Sequence, residues 1–307
     1  PLYSSAASDV YKRQAFLLAN RDAGNGQAIT MRDGAAILTS NAGADAVHLE
    51  ARPAGTGAGT SDLAPQGGIV LTNITVGDGG TITVNAAGGT AAGRQGTIVQ
   101  RDGTLLNAGA TGTVKLLARA NDSTGLLNTG NIGANGDTTT LVLLPVIVRA
   151  GTVIATTNGT SLGNTGVINV VNEIGGSFTA TTSGNSSAMV QLATKTGVLT
   201  VDGATSNAGG PIRLTGADGV HLQAQLGSSN SGPITIDGAL SGNSNIVLGT
   251  GGLTIDQDSG STFDGVISGP QALTKSGTGT LTLGAANTYA GGTVVSAGGL
   301  LAENTSG

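Results

Sequence analysis

The sequence predicts an all-β protein that winds as a right-handed parallel β-helix, a form of β-solenoid. Glycine supplies 54 of the 307 residues, whereas aromatic residues make up only 2% and charged residues 10% of the chain. From about residue 25 onward, short runs of Val, Ile, Leu and Ala alternate with Gly, Asn, Asp, Ser and Thr. Short apolar runs bounded by turn residues, with no sustained helical period, are typical of an all-β chain.

The composition narrows the class of protein further. An apolar fraction of 38% with few charges is the opposite of a disordered composition, so we expect a packed core. The chain has no cysteine, which excludes disulfides and thiolate metal sites. Its net charge of -5 and its lack of Lys/Arg runs argue against nucleic acid as a partner.

Two kinds of dipeptide mark the expected turns between strands. Gly, Asn and Asp tolerate positive φ, so Asp-Gly and Asn-Gly pairs favour tight corners. The Asp-Gly pairs begin at Asp33, Asp78, Asp102, Asp202, Asp218, Asp237 and Asp264, and the Asn-Gly pairs begin at Asn25, Asn135 and Asn158.

An alternating apolar-Thr-apolar-Asp/Asn pattern selects the architecture. It begins at residues 82, 199, 234 and 253, with the variant LTLG at 281. The last four copies are 35, 19 and 28 residues apart, which suits coils of about 20 to 30 residues. A sandwich or barrel would show more uniform hairpins and more aromatic core residues. At ~22 residues per coil and ~4.8 Å between strands, we expect roughly 13 coils in a rod of about 60 Å.

A second pattern, Val-polar-Leu, has His48, Lys115, Gln191 and His221 at its middle position. Because alternation separates the middle residue from its apolar neighbours, we expect all four on a solvated face. The presence of Lys and Gln at the same position argues against a metal-binding or catalytic role for the two histidines.

The first 14 residues, PLYSSAASDVYKRQ, differ from the rest of the chain. They carry two of the three tyrosines, and they lack the apolar stretch of a signal peptide. They resemble translated adapter sequence at the end of an open reading frame, so we expect residues 1–14 to be a disordered, non-native leader. We therefore expect a fragment whose signal peptide and true termini lie outside the chain.

A specific repeat occupies residues 263–301, FDGVISGPQALTKSGTGTLTLGAANTYAGGTVVSAGGLL. The order and spacing of GVISG, LTKSGTGTLTL, NTYAGGT and the closing GGL closely resemble the autotransporter-associated β-strand repeat, also called the passenger-associated transport repeat. The resemblance implies a β-helical passenger domain, exported by a type V autotransporter of a Gram-negative bacterium. Such a passenger is displayed at the outer membrane, and a translocating β-barrel is expected downstream.

The resemblance divides the chain into β-solenoid passenger coils over residues 15–262 and the repeat over residues 263–307, which continues the solenoid. The upstream coils resemble those of large filamentous-haemagglutinin-type adhesins. We therefore expect a secreted, cell-surface protein with an adhesive or structural role, no catalysis and no cofactor. Its expected partners are surface molecules of host or neighbouring cells, or further copies of itself.

The run GPQALTKS at 269–276 differs at one position from a phosphate-binding loop. Such a loop lies between a buried strand and a helix whose N-terminal amides hold the phosphates. Here a turn and a second strand follow instead. We therefore reject a nucleotide site and expect Lys275 on an outer face.

Five aspartates are the candidate ligands for calcium. Asp202, Asp237 and Asp256 end three copies of the first pattern and would stack along one edge, while Asp258 and Asp264 belong to the run DQDSGSTFD. Stacked carboxylates suit a calcium site or a polysaccharide-acting β-helix enzyme. The favoured alternative is structural, with each Asp capping its own turn through backbone amides.

Simple structural criteria separate the functional alternatives. Three Asp side chains in one groove with a nearby Arg would favour the enzyme, whereas faces of Ser, Thr and Asn would favour the adhesin. A further alternative is the stalk of a passenger whose catalytic domain lies outside this chain. An ice-binding solenoid would need a regular Thr ladder, against which the uneven spacing of the first pattern argues.

Overall fold

The computed structural model describes residues 15–19, 29–51, 68–87, 96–119, 130–134, 142–158, 166–183, 188–207 and 209–303. These residues form parallel sheets of stacked coils and contain no helix, so none that could cross a membrane. The predicted all-β, parallel β-solenoid class is confirmed. The expected leader, residues 1–14, and the glycines of the three Asn-Gly pairs lie outside the described residues.

The strands form four parallel sheets, named here A to D. Sheet A contains β1 (Ala15–Ala19), β4 (Val47–Ala51), β7 (Thr81–Ala87), β10 (Thr113–Arg119), β12 (Thr152–Asn158), β14 (Gly176–Ser183), β16 (Leu199–Val201), β18 (Val220–Leu222), β21 (Leu240–Gly242), β24 (Ser261–Phe263), β27 (Thr280–Leu283) and β30 (Gly299–Ala302). Sheet B contains β3 (Ala36–Leu38), β6 (Asn73–Thr75), β9 (Leu106–Asn107), β11 (Val146–Arg149), β13 (Ile168–Asn172), β15 (Val190–Thr194), β17 (Ile212–Thr215), β20 (Ile234–Asp237), β23 (Leu253–Asp256), β26 (Leu273–Ser276) and β29 (Thr293–Val295).

The two smaller sheets form the third side of the rod. Sheet C contains β19 (Leu226–Gly227), β22 (Ile246–Val247), β25 (Ile267–Gly269) and β28 (Thr288–Tyr289), and sheet D contains β2 (Ile29–Thr30), β5 (Ile69–Leu71) and β8 (Ile98–Gln100). Each C-terminal coil visits sheets B, A and C in turn, as β20, β21 and β22 do before β23 pairs with β20. Pairing is parallel because each strand meets its equivalent one full coil later.

Register partners on consecutive coils give the coil length directly. In sheet A they lie 19 to 21 positions apart from Leu199 onward, as in the pair Leu199–Val220. Nearer the N-terminus the spacing widens, reaching 39 positions between Val114 and Val153. The expected coil length is therefore right for the C-terminal half and too short for these coils. The twelve strands of sheet A span about 53 Å at ~4.8 Å per step.

The uneven spacing of the Thr-containing pattern has a structural cause. The copies at 82, 199 and 281 lie in sheet A, and those at 234 and 253 lie in sheet B. Two of the three steps therefore run from one sheet to the other, and only the step of 19 residues measures one coil. The inference of irregular coil spacing is wrong for the C-terminal half.

One apolar core runs through the rod. Inward-facing residues stack from coil to coil, and Gly242 lies next to the Phe263 ring in one column of sheet A. A side chain at Gly265 would meet Phe263 Cζ at 2.6 Å, so two glycines make room for this aromatic ring. The column consists of Val47, Ile82, Val114, Val153, Phe178, Val201, Leu222, Gly242, Phe263 and Leu283.

The Asp-Gly pairs form the corners between strands, as predicted. Five of the seven have glycine at positive φ, where an L side chain would be strained. These glycines are Gly34, Gly79, Gly103, Gly219 and Gly238.

Candidate functional site

A groove of about 540 Å³ follows the corner where the chain leaves sheet B and enters sheet A. It crosses three coils, and Asp218, Asp237, Asp256 and Asp258 line it. The other lining residues are Gly, Ala, Ser, Thr and Gln. We call this feature the acidic groove.

Strand register brings some of the predicted aspartates together and separates others. Asp237 and Asp256 are register partners at the ends of β20 and β23. Asp202 and Asp264 instead follow β16 and β24 of sheet A, and neither lines the groove. The expected stack of Asp202, Asp237 and Asp256 is therefore wrong, because the three copies of the pattern lie on two sheets.

Asp258 binds the next coil rather than its own turn. Its Oδ1 accepts hydrogen bonds from the Thr278 backbone N at 2.9 Å and from Thr278 Oγ1 at 3.0 Å. The backbone hydrogen bond, followed by the hydroxyl and the nearby Lys275 charge, holds the pKa of Asp258 below its usual range. This carboxylate therefore clamps one coil to the next.

The same contact between coils recurs along the rod. Asp78 Oδ1 accepts hydrogen bonds from Thr111 N and Oγ1, both at 3.2 Å, and the backbone bond lowers the pKa of Asp78. Asp218 Oδ2 accepts a hydrogen bond from Gly197 N at 2.8 Å, on the preceding coil. Each of these aspartates caps a neighbouring coil, whereas the sequence suggested that each would cap its own turn. The place of Asp218 in the groove was missed because its Asp-Gly pair signals only a corner.

The groove combines several carboxylates with one arginine. Arg213 Nη2 lies 3.9 Å from Asp237 Oδ2. Within the described ranges, no group of three or more His, Asp or Glu residues is placed to hold a metal ion. Carboxylates and a guanidinium are suited to hydrogen bonding with sugar hydroxyls, although no aromatic side chain lines the groove as a stacking platform.

Lys275 is buried, which contradicts the expected position on an outer face. The residue has no exposed surface, and β26 places it in register with Ile255 of β23. Alternation from the buried Leu273 turns Lys275 inward as well. The LTKS alternation carried this signal, but the preference of lysine for solvent hid it.

The ammonium group of Lys275 points to backbone carbonyls at the corner behind the groove. Nζ donates to Gly277 O at 3.0 Å, to Gln257 O at 3.4 Å and to Ser276 O. Burial lowers the pKa of Lys275, while the carboxylates of Asp256 and Asp258 oppose that shift. Lysine therefore ties the corners of two successive coils together.

A ladder of hydroxyl side chains runs along the outer face of sheet A. Register pairs link its members coil by coil, and pairing of Gly242 with Phe263 sets Thr262 beside Ser241. The hydroxyl ladder consists of Thr81, Thr113, Thr152, Ser177, Thr200, His221, Ser241, Thr262 and Thr282. His221 and the two serines break the regularity that ice binding would need.

The two histidines lie half-buried on sheet A, far apart along the rod. His221 Nδ1 lies 3.0 Å from Ser241 Oγ within the ladder, and His48 Nε2 lies 3.9 Å from Glu50 Oε2. Lys115 shares sheet A with them, whereas Gln191 belongs to β15 of sheet B. The four pattern positions are therefore not one structural position.

Comparison with known families identifies one segment of the chain. Residues 273–302 match the passenger-associated-transport-repeat family, and they run from β26 through β30. The predicted resemblance is confirmed over this segment. The repeat indicates an autotransporter passenger, and hence a secreted or cell-surface protein of a Gram-negative bacterium. Searches of curated proteins and of solved structures gave no match.

Proposed function

We propose that the chain is part of the rod of an autotransporter passenger, displayed at the outer membrane, with an adhesive or structural role and no catalysis. One observation carries the proposal. The repeat at 273–302 forms coils whose strands close the same sheets A and B that extend back to β1 and β3. A transport-associated repeat in continuous register with the other coils supports a passenger role for the rod as a whole.

The outer face of sheet A supports the adhesive part of the proposal. Each coil adds one member of the hydroxyl ladder at the strand spacing of ~4.8 Å. Hydroxyl groups make individually weak hydrogen bonds with the polar molecules of another cell's surface, and a repeated array makes them additive. The proposed partners are such surface molecules on host or neighbouring cells.

Surface display and adhesion can be tested together. The chain is placed between an export signal and an autotransporter barrel in a Gram-negative host, with the barrel alone as control. We expect a passenger that antibody detects and external protease removes, and more cells retained on host-cell monolayers than with the control. Loss of surface display would contradict the passenger role, and retention equal to the control would contradict the adhesive role.

Matched variants locate the adhesive face. Thr200, Thr262 and Thr282 of the hydroxyl ladder are changed to Ala together, and Thr235, Thr254 and Thr274 of sheet B are changed in the control. We expect the ladder variant alone to lose retention at unchanged surface level. Equal loss in both variants would contradict a role for the ladder.

The acidic groove supports a second candidate, a polysaccharide-acting enzyme. Four aspartates line it and Arg213 lies beside Asp237, which meets the criterion set from the sequence. The purified chain is incubated with neutral and acidic polysaccharides, and new reducing ends or unsaturated products are measured. Turnover that Asp237→Asn abolishes would replace the non-catalytic proposal, whereas absence of turnover on every substrate would count against the enzyme.

A further inference from the structure

We propose that the C-terminal end of the rod binds the N-terminal end of a second copy, so that copies associate head to tail by parallel strand addition. The proposed contact surface is the outer edge of β28, β29 and β30, called here the C-terminal end. The inference rests on the fold and does not depend on the adhesive role.

Inward-facing positions are exposed at the C-terminal end. Val295 is 47% exposed, although its register partner Lys275 and the preceding Ile255 have no exposed surface. All three residues of β29 are exposed, and Leu301 of β30 is 49% exposed. The core column thus ends in open apolar surface, which another coil would bury.

The backbone of this end is equally open. β28, β29 and β30 are the last strands of sheets C, B and A, so within the described residues each has one unpaired edge. Natural edge strands are usually protected by charged side chains or proline. Residues 276–302 contain no charged residue, no histidine and no proline. The end therefore favours strand addition.

The opposite end of the same chain fits this surface. β1 and β3 are the first strands of sheets A and B, and Leu38 of β3 is 74% exposed. β1 ends in Leu-Leu-Ala at 17–19, and β30 ends in Leu-Leu-Ala at 300–302. Both runs have the same phase, because Leu17 pairs with the buried Leu49 and Leu300 with the buried Leu281.

Head-to-tail contact continues the coil-on-coil interface already present within the rod. Strand direction, alternation and the inner column are all preserved across the junction, whereas two C-terminal ends facing each other would reverse the strands. A second copy is therefore the occupant that the observed register fits. Such a contact does not close on itself, so it leads to linear chains of molecules.

The experiment measures association of the full chain by sedimentation velocity and light scattering over a wide concentration range. We expect a concentration-dependent series from monomer to dimer and longer species, and rods one molecule wide by electron microscopy. A wild-type chain that stays monomeric throughout would overturn the proposal. The end would then suit another occupant, such as a further coil of a longer polypeptide.

Variants at the two ends give the sharper test. Val295→Lys blocks the C-terminal end, Leu38→Lys blocks the N-terminal end, and Thr254→Lys in the middle of sheet B is the matched control. Each end variant is expected to weaken association by roughly tenfold or more, because an unpaired lysine would enter the junction. The control should associate like wild type. Circular dichroism and thermal melting check that every variant is folded.

Mixing the two end variants tests the direction of the contact. Each alone is expected to be monomeric, but one still has a free N-terminal end and the other a free C-terminal end. The mixture should therefore form one-to-one dimers and nothing longer. End variants that associate as well as the Thr254→Lys control, or a mixture that stays monomeric while wild type associates, would overturn the head-to-tail arrangement.

Discussion

Lys275 occupies the interior position that Ile255 occupies one coil earlier, and both residues have no exposed surface. The column continues an aliphatic series through Val170, Leu192, Leu214, Ile236 and Ile255. The four-carbon stem of lysine fills the same space, and its ammonium leaves the column toward the corner carbonyls. One residue thus provides core packing and a link between coils.

Truncation of this side chain should destabilise the C-terminal coils. Lys275→Ala removes the stem and the donor to three carbonyls, so we expect the free energy of unfolding to fall by about 2–5 kcal/mol. Lys275→Met keeps most of the volume and should cost less. Denaturant unfolding measures both changes. An Ala variant as stable as wild type would contradict a packing role.

The lowered pKa of Lys275 predicts the sign of a pH dependence. Burial keeps the pKa of Lys275 in the folded protein below the ordinary value of 10.5, so the folded state releases this proton before the unfolded state does. Relative to Lys275→Met, wild type should therefore gain stability as the pH rises from the folded pKa toward 10.5, and keep that gain above it. Unfolding free energies of both proteins across this window give the difference. A difference that is flat with pH would contradict the prediction.

The β-solenoid class and the repeat could be predicted because their signals are local. Alternation, Asp-Gly corners and the spacing of the repeat all lie within a few residues of one another. The sheet to which a strand belongs is set by the preceding corners, and short similar strands such as LTVD and LTID do not encode it. This is why Asp202 was grouped with Asp237 and Asp256, although it lies in a different sheet.

The acidic groove could not be predicted for the same reason. It exists because Asp218, Asp237 and Asp258 come from successive coils at one corner. Their proximity depends on a coil length of about 20 residues, which the copies of the Thr-containing pattern did not reveal. Only the register of β20 with β23 makes that length visible.

A glycine at a coil corner should be far more sensitive to substitution than a glycine with space around it. Gly269 has φ +117°, and an added Cβ would lie 2.2 Å from Leu248 O. Gly269→Ala should therefore cost about 1–3 kcal/mol or more, because strain and collision act together. At Gly260 the nearest atom to an added Cβ is Thr280 O at 3.7 Å, and no positive φ opposes alanine.

The comparison of Gly269→Ala with Gly260→Ala uses the same chemical change a few residues apart. We expect the Gly260 variant to stay within about 0.5 kcal/mol of wild type, as for surface changes that disturb no special feature. Gly292→Ala separates the two causes, because Gly292 has φ +80° but nothing within 4 Å of an added Cβ. It should fall between the other two in thermal midpoint. Equal midpoints for all three would contradict the role of corner geometry.

Protonation of Asp258 should release one clamp between coils under acid conditions. The hydrogen bonds from Thr278 keep the folded pKa of Asp258 below the ordinary value of 3.8. The resulting stabilisation is present above pH 3.8 and is lost as the pH falls through the folded pKa. Asp258→Asn should therefore show a smaller loss of thermal midpoint than wild type on acidification. Thr278→Val removes only the hydroxyl donor and should lie between them. Asp102→Asn makes the same charge change at another turn, and an equal effect there would show that net charge, rather than the Asp258–Thr278 contact, sets the acid sensitivity.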